Sequence, residues 1–272
     1  MSTTVIIPTY NRCKFLQRAL QSVCRQTLLP DEIIVIDDGS DDATEQMLHR
    51  EFPAVRYLRQ ENSGVSSARN RGIAAAGGNW LAFLDSDDQW LPEKLQTQHQ
   101  ALAGQQKMLV CHSDEIWIRN GRRVNAGKKH AKKGGWIFQH CLPLCAMSPS
   151  SIMIHRDVFA ALGGFDEQLP ACEDYDFWLR ITARYPVLFI EQPLIKKYGG
   201  HDDQLSRKYW GMDRFRIRAL EKILATGSLN DADHRAAVAI LREKAGIYLQ
   251  GAIKRGKSDE IGYYRQLLSH YG

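Results

Sequence analysis

Strand-like apolar runs and helical spacings alternate through the first hundred residues of this chain, and that alternation limits the folds open to it. The runs are Thr4–Pro8 (with Val5, Ile6 and Ile7 at its centre), Ile33–Ile36, Val55–Leu58 and Trp80–Leu84. Helical spacing fills Arg12–Gln26 through Phe15, Leu16, Ala19, Leu20 and Val23. It returns in a short stretch through Met47 and Leu48 and again over Gly64–Ala76. An apolar run without polar alternation is a strand buried on both faces. Such strands separated by helices predict an α/β fold, a mainly parallel sheet flanked by helices. Gly64–Ala76 is rich in small residues, which predicts a helix packed close to the sheet. In sheets of this kind, loops at the carboxyl ends of strands carry the ligand site. Pro8-Thr9-Tyr10-Asn11, Asp37–Asp42 and Asp85–Asp88 fall there.

The last of these segments carries the sharpest chemistry. The run Phe83-Leu84-Asp85-Ser86-Asp87-Asp88 delivers three carboxylates within four positions. Crowded carboxylates repel, and a divalent cation is the usual counter-charge; hard oxygen ligands suit Mg²⁺ or Mn²⁺. The alternative is a polar turn that caps the next helix. Asp38 follows its strand by one residue and could accept from a donor on a ligand base or ribose; it could equally be a turn residue before Gly39. Asp41 reads as a helix N-cap. Arg69 suits bidentate contact with phosphate or carbonyl, or it is a helix-surface arginine. No Gly-x-Gly-x-x-Gly follows the first strand and no Gly-x-x-x-x-Gly-Lys-Ser/Thr occurs, so a phosphate ligand would need a metal and basic side chains.

Further on, Pro92–Ala103 reads as a helix and Met108–Cys111 as a strand. Ile116–Ile118 and Arg122–Val124 flank Asn120-Gly121, a type I′ hairpin signal. The basic segment 119–133 is read as a lid or anion-contacting arm, or else as a solvated loop. Ser150–Ile154 is a strand, and Arg156–Leu162 a short helix. Glu173-Asp174 opens a helix, where acids are favoured. Phe177 and Trp178 on it are expected in the core. Val187–Ile190 and Leu194–Tyr198 read as strands. Beyond Tyr209 only helical spacing remains. The expected division is a catalytic unit over 1–205 and a helical appendage over 206–272, the latter open to dimerisation, membrane docking or acceptor binding.

The net charge of +5 is compatible with anionic ligands or membrane surfaces and too small to argue for nucleic acid. No apolar run approaches the roughly 20 residues of a bilayer span. No signal-peptide pattern is evident, and the expected location is cytoplasmic. The six cysteines form no CxxC pair, and Cys141 and Cys145 lack a second ligand pair, so they read as thiols in a reducing compartment.

Taken together, six segments resemble the family-2 glycosyltransferases of the GT-A fold. They are Pro8–Arg12, Val35–Asp41, Asn62-Ser63-Gly64 with Ala68-Arg69-Asn70, Phe83–Asp88, Gly163–Glu167 and Glu173–Trp178. The likeness spans roughly residues 3–207. It implies a nucleotide-sugar-dependent, metal-assisted, inverting transfer, with Mn²⁺ or Mg²⁺ as cofactor. By position, it implies that Pro8, Thr9 and Tyr10 line the base pocket and that Asp38 hydrogen-bonds the base, usually uracil. Arg69 would lie nearby, Asp85 would approach the ribose, and Asp87 would hold the metal. Asp88 would be a second ligand, Asp174 the catalytic base, and His201 would close over the metal or diphosphate.

The chemistry has the same two needs. Inversion requires a carboxylate within reach of the acceptor hydroxyl. The leaving diphosphate requires a Lewis acid. Asp174 and Asp87 fit that division, although Glu173 or Asp174 could instead cap the helix. The implied partners are a nucleotide-sugar, most simply a UDP-sugar, and a saccharide or lipid-linked acceptor of cell-surface polysaccharide synthesis, met at the inner face of the membrane. A sugar nucleotidyltransferase is the competing reading, disfavoured because Pro8–Lys14 lacks its glycine-rich loop. A binding module without catalysis is the third.

Overall fold

A computed structural model describes residues 1–105, 107–200 and 209–272. The first four strands are β1 (Thr3–Thr9), β2 (Glu32–Asp37), β3 (Arg56–Arg59) and β4 (Trp80–Phe83). They pair in the order β3-β2-β1-β4, all parallel, as the alternation predicts. Helices α1 (Cys13–Cys24), α2 (Thr44–Glu51) and α3 (Val65–Ala75) connect them. Alternate residues of β1 point to opposite cores. Ile6 packs in one cluster with α3, while Val5 and Ile7 pack in the other with Leu16, Leu20 and Met47 of α1 and α2. Period-two geometry with apolar residues on both faces buries the strand completely.

Beyond β4 the sheet becomes mixed. β8 (Met153–His155) runs antiparallel to β4, and β6 (Val110–Arg119) antiparallel to β8. β9 (Leu188–Gly199) returns parallel to β6, and the short β5 (Gln89–Trp90) closes that edge. β7 (Arg122–Val124) forms the hairpin with β6, and Asn120 and Gly121 both take positive φ (49° and 73°) as a type I′ turn requires. Two pairs of expected strands merge. Met108–Cys111 and Ile116–Ile118 both feed β6, and the segments on either side of Pro193 form one strand, with register shifts opposite Ser113–Glu115. A register shift lets a strand pass a residue that cannot donate to the ladder.

Helices α4 (Lys94–Leu102), α5 (Phe138–Cys141), α6 (Arg156–Leu162) and α7 (Glu173–Thr182) cover the sheet. The chain ends in α8 (Asp213–Ala225), α9 (Asp231–Lys254) and α10 (Ser258–His270). These three share a core with α7: Phe177, Trp178, Leu220, Leu241 and Leu267 belong to one buried cluster. No helix among the described residues is long and apolar enough to cross a membrane.

The expected N-cap at Asp41 is corrected by the structure. Asp41 is exposed, and Asp42 Oδ1 instead accepts from the Thr44 amide at 3.0 Å. The helix starts at Thr44 with Ala43 at its N-cap position, so Asp42 supports the first turn from one residue further out. The close approach of α3 is visible at Gly72, where a Cβ would overlap Ile6 Cγ2. Replacing a helical glycine by alanine gains about 1 kcal/mol of propensity, and overpacking costs roughly 1–3 kcal/mol. Gly72→Ala is therefore expected to lower stability by about 1 kcal/mol in urea titration.

His112 offers a pH test. It lies fully buried on β6, and its Nε2 sits 2.8 Å from the Lys133 carbonyl, tying the basic segment to the sheet. Burial, then the Lys132 ammonium, hold its pKa at about 3. The unfolded state would protonate near pH 6.5 and so binds more protons than the native state below that pH. Stability from this group is present at neutral pH and is lost as pH falls. Relative to His112→Gln, wild type should lose up to about 1.4 kcal/mol per pH unit between pH 6 and 4.

Candidate active site

The site forms where β1, β2 and β4 end side by side. Backbone bonds fix these ends: Asp38 N donates to Thr9 O (2.9 Å) and Leu84 N to Ile6 O (3.1 Å). Asn11, in the left-handed region, latches the first two loops, its amide donating to Ser40 Oγ and its Oδ1 accepting from Asp41 N. Pro8 and Thr9 are buried, and Thr9 Oγ1 has no hydrogen-bond partner among the described residues. Tyr10 is 48% exposed at the mouth, with a ring face open to stacking. Asp38 is nearly filled by its own protein. Its Oδ1 accepts from Gln60 Nε2 (2.8 Å) and Ser63 N (2.9 Å), and its Oδ2 from Gly64 N (2.8 Å). It therefore holds the loop that launches α3, and a carboxylate's four lone-pair sites leave one for a ligand.

The three acids after β4 have different surroundings. Asp85 Oδ1 meets Arg69 Nη2 at 2.7 Å, and Asp87 Oδ2 meets Arg12 Nη1 at 2.9 Å. Asp88 is buried, with Oδ2 accepting from Ser150 Oγ (2.6 Å) and Oδ1 from Tyr198 N (2.9 Å). Burial, then Asp87 and Asp85, push its pKa up. Ser150 also accepts from Asp85 N at 3.1 Å, so it braces the whole acidic turn. Each Asp88 oxygen thus accepts one hydrogen bond from the fold in a buried setting, which sets it apart from Asp85 and Asp87.

Arg69 is also corrected. It is 3% exposed, and Nη1 meets Glu173 Oε1 at 2.6 Å while Nη2 holds Asp85. Burial works against its charge, but Asp85 and Glu173 outweigh that and push its pKa up. The fork expected to face a ligand instead joins β4 to the first residue of α7. That join brings the start of α7, which carries Asp174 as its second residue, to the acidic turn. Asp174 is part-buried; its Oδ1 accepts from Tyr175 N (2.7 Å) and its Oδ2 from the Cys145 thiol (3.0 Å). Burial and then Asp174 raise the Cys145 pKa well above its usual range, which keeps it a donor. Cys172, left-handed at φ 61°, precedes α7. Phe177 and Trp178 are fully buried, as expected of core residues.

Four residues here have no site role legible in the sequence: Arg12, Ser150, Cys145 and Lys197. Burial opposes the charge of Lys197, but Glu115, Asp88, Cys145 and Asp174 outweigh it and push its pKa up. It thus stands within electrostatic reach of both Asp88 and Asp174. Of the basic segment, Lys132 is spent on Glu115 (3.2 Å), while Arg119, Arg122, Arg123, Lys128, Lys129 and Lys133 face solvent. His201 lies outside the described residues.

Asp85 and Asp87 suit a hard divalent cation, though no group of three His, Cys, Asp or Glu side chains converges among the described residues. Mg²⁺ sites commonly use one or two carboxylates and take the rest from phosphates and water, so this donor pair fits such an ion.

The half-parallel, half-mixed sheet with acids at its strand ends defines the GT-A architecture. Staphylococcus aureus TarS, residues 1–349, superposes with a TM-score of 0.69 at 21% identity, covering 90% of this chain and 70% of that one. The same protein in complex with UDP-GlcNAc gives 0.70 at 22%, covering 90% and 71%. The family model for glycosyl transferase family 2 matches residues 4–160, and that for glycosyltransferase-like family 2 matches 130–223. The chain belongs to glycosyltransferase family 2. An uncharacterized glycosyltransferase of Rickettsia felis is 31% identical over 212 residues, 75% of this chain and 35% of its own length. The Bacillus subtilis uncharacterized glycosyltransferase YwdF is 29% identical over 192 residues, 69% and 70% of the two chains. The chain thus spans about a third of the Rickettsia protein.

Breaking a buried pair leaves an uncompensated charge and costs roughly 3–5 kcal/mol. Arg69→Met is expected to lose about 3 kcal/mol or more in urea unfolding, and Arg69→Lys, which lacks the fork, to fall between it and wild type.

Proposed function

We propose that this chain transfers a sugar from a nucleotide-sugar, most simply a UDP-sugar, to a saccharide or lipid-linked acceptor with inversion. The observation that carries the reading is the Asp85–Arg69–Glu173 bridge, which brings the start of α7, and Asp174 with it, to the acidic turn. The fold shared with TarS, whose structures include complexes with UDP and UDP-GlcNAc, supports the donor class. Tyr10 stacks on the base, with Pro8 and the buried Thr9 hydroxyl, unpaired among the described residues, beneath it. Asp38 offers its remaining lone pair to the base, and Asp85 its second oxygen to the ribose.

Asp174 takes the proton from the acceptor hydroxyl. The freed oxygen bonds to the anomeric carbon as the bond from that carbon to the diphosphate oxygen breaks on the opposite side. The electron pair leaves with the nucleoside diphosphate. Cys145 holds Asp174 through one weak S–H donor, which fixes the carboxylate with little loss of basicity. Asp87, with Asp85 beside it, would hold Mn²⁺ or Mg²⁺, which when bound neutralises charge on the leaving diphosphate. Lys197 supplies fixed positive charge to the same cleft. His201 remains a candidate for closure over that diphosphate. We place the acceptor in cell-surface polysaccharide synthesis at the inner face of the membrane, with 1–205 as the catalytic unit and 206–272 as a helical region. The exposed cations of 119–133 suit an anionic surface.

A screen of nucleotide-sugars with Mn²⁺ or Mg²⁺, read by released nucleoside diphosphate, tests the activity. Loss of a general base costs about 10²–10⁴-fold. Asp174→Asn should lower turnover by at least about 100-fold while nucleotide binding persists. Asp87→Asn should lose turnover together with metal-dependent nucleotide binding. A fully active Asp174→Asn enzyme would overturn the base assignment.

A further inference from the structure

A second polar concavity, of about 380 Å³, opens in the C-terminal helices, between the residues entering α8 and the middle of α9. Trp210, Asp213, Arg216, Lys244, Ile247 and Arg255 line it. Two glycines keep its walls low. Gly211 is left-handed at φ +66°, and a Cβ there would press on Tyr248; at Gly251 a Cβ would fall 2.6 Å from Arg255 Nη2.

Positive charge crowds this place. The Trp210 ring has Lys257 Nζ at 4.0 Å, Arg255 Cζ at 4.7 Å and Arg214 Cζ at 5.9 Å from its centroid. Arg216 and Lys244 share a single carboxylate oxygen, Asp213 Oδ1, at 2.8 and 3.1 Å. Lys257 is met by Glu260 at 3.1 Å. Five cations thus face two carboxylates, and Arg214 and Arg255 have aromatic faces but no carboxylate partner among the described residues. An aromatic quadrupole offsets part of such repulsion, and an anion would offset the rest.

We infer that this cavity binds a phosphate group carried on a larger organic molecule. Two guanidinium forks and one ammonium around a single space suit a multiply charged, three-oxygen anion better than a carboxylate. The rim is apolar, with Ile247 61% and Trp210 46% exposed, which accommodates the body that carries the phosphate. The carrier is either a soluble phosphorylated saccharide or a phospholipid headgroup. The cavity adjoins the transfer site: Cys172 Sγ lies 3.8 Å from Met212 O, so the wall that Met212 belongs to abuts the residue preceding Glu173-Asp174. The site does not depend on Asp174 acting as a base.

The full chain, in EDTA and low salt, is titrated with glucose 6-phosphate by calorimetry and sedimented with phosphatidylglycerol vesicles. Arg255→Gln and Lys244→Gln are compared with Arg242→Gln, an exposed position outside the cavity that changes net charge equally. Thermal melting and UDP binding are followed for each. The expected result is binding of at least one probe, weakened tenfold or more by Arg255→Gln and by Lys244→Gln and not by Arg242→Gln. Binding of glucose 6-phosphate assigns a soluble carrier, and binding of vesicles alone assigns a lipid headgroup. No binding of either probe, or equal losses in all three variants, overturns the site.

Discussion

The two-handed grip of Arg69 is the interaction on which the cleft depends. Its guanidinium is almost wholly withdrawn from water and divided between Asp85 and Glu173. A buried charge is costly unless it is paired, and Arg69 meets that need through its two Nη groups. Glu173 is buried with it and depends on that pairing, while the Asp85 side chain remains 28% exposed. The consequence is geometric. β4 and α7 lie far apart in sequence, yet one side chain fixes the distance between them. Asp174 follows Glu173 by one residue on a helix turn, so it inherits that placement. A bridge of this kind supplies little net stability against an apolar replacement, but it admits one arrangement of its partners.

The same logic governs the acidic turn. Three carboxylates in four positions suggest a turn in need of counter-charge. The structure distributes the burden differently. Asp85 has Arg69, Asp87 has Arg12, and Asp88 has Ser150, the Tyr198 amide and the field of Lys197. The turn is therefore electrostatically supported by the protein itself. A cation arriving with a diphosphate would join Asp87 in competition with Arg12, whose side chain is 19% exposed and positioned at the surface of the cleft. In this structure the counter-charge at Asp87 comes from Arg12, on the loop that follows β1.

The parallel half of the sheet was legible because local pattern and burial agree there: β1, β2 and β4 are uninterrupted apolar runs, and their loops carry the polar segments. The merging of segments into β6 and β9 was not legible, because Ser113-Asp114-Glu115 and Glu191-Gln192-Pro193 read as breaks. Tertiary pairing across the sheet overrides that local signal. Site residues divide in the same way. Asp174 and Asp87 stand out because acids at strand ends and helix starts are chemically distinctive. Arg69 was visible as a candidate but its partners were not, since an ion pair between distant residues leaves no spacing to read. Cys145 was weighed only as a zinc ligand, and its contact with Asp174 arises from α5 packing on α7. Asp88 follows Asp87 directly in sequence, yet it turns inward to Ser150 and the Tyr198 amide, an orientation that adjacency does not reveal.

The C-terminal helices take part in this economy. They are an appendage in sequence, since strand patterns end before them, but they are not one in packing. Leu220, Leu241 and Leu267 complete the cluster that contains Phe177 and Trp178. Lys222 Nζ reaches Asp176 Oδ1 at 2.7 Å, one turn into α7. The helix bearing Asp174 is thus clamped from two directions, by Arg69 at its start and by α8 along its length. A movement of α8 against α7 would act on the helix bearing Asp174 directly, whereas motion of the loops at β1 and β2 would act on the opposite side of the cleft. The fold separates those two levers, and Arg69 is the point at which they meet.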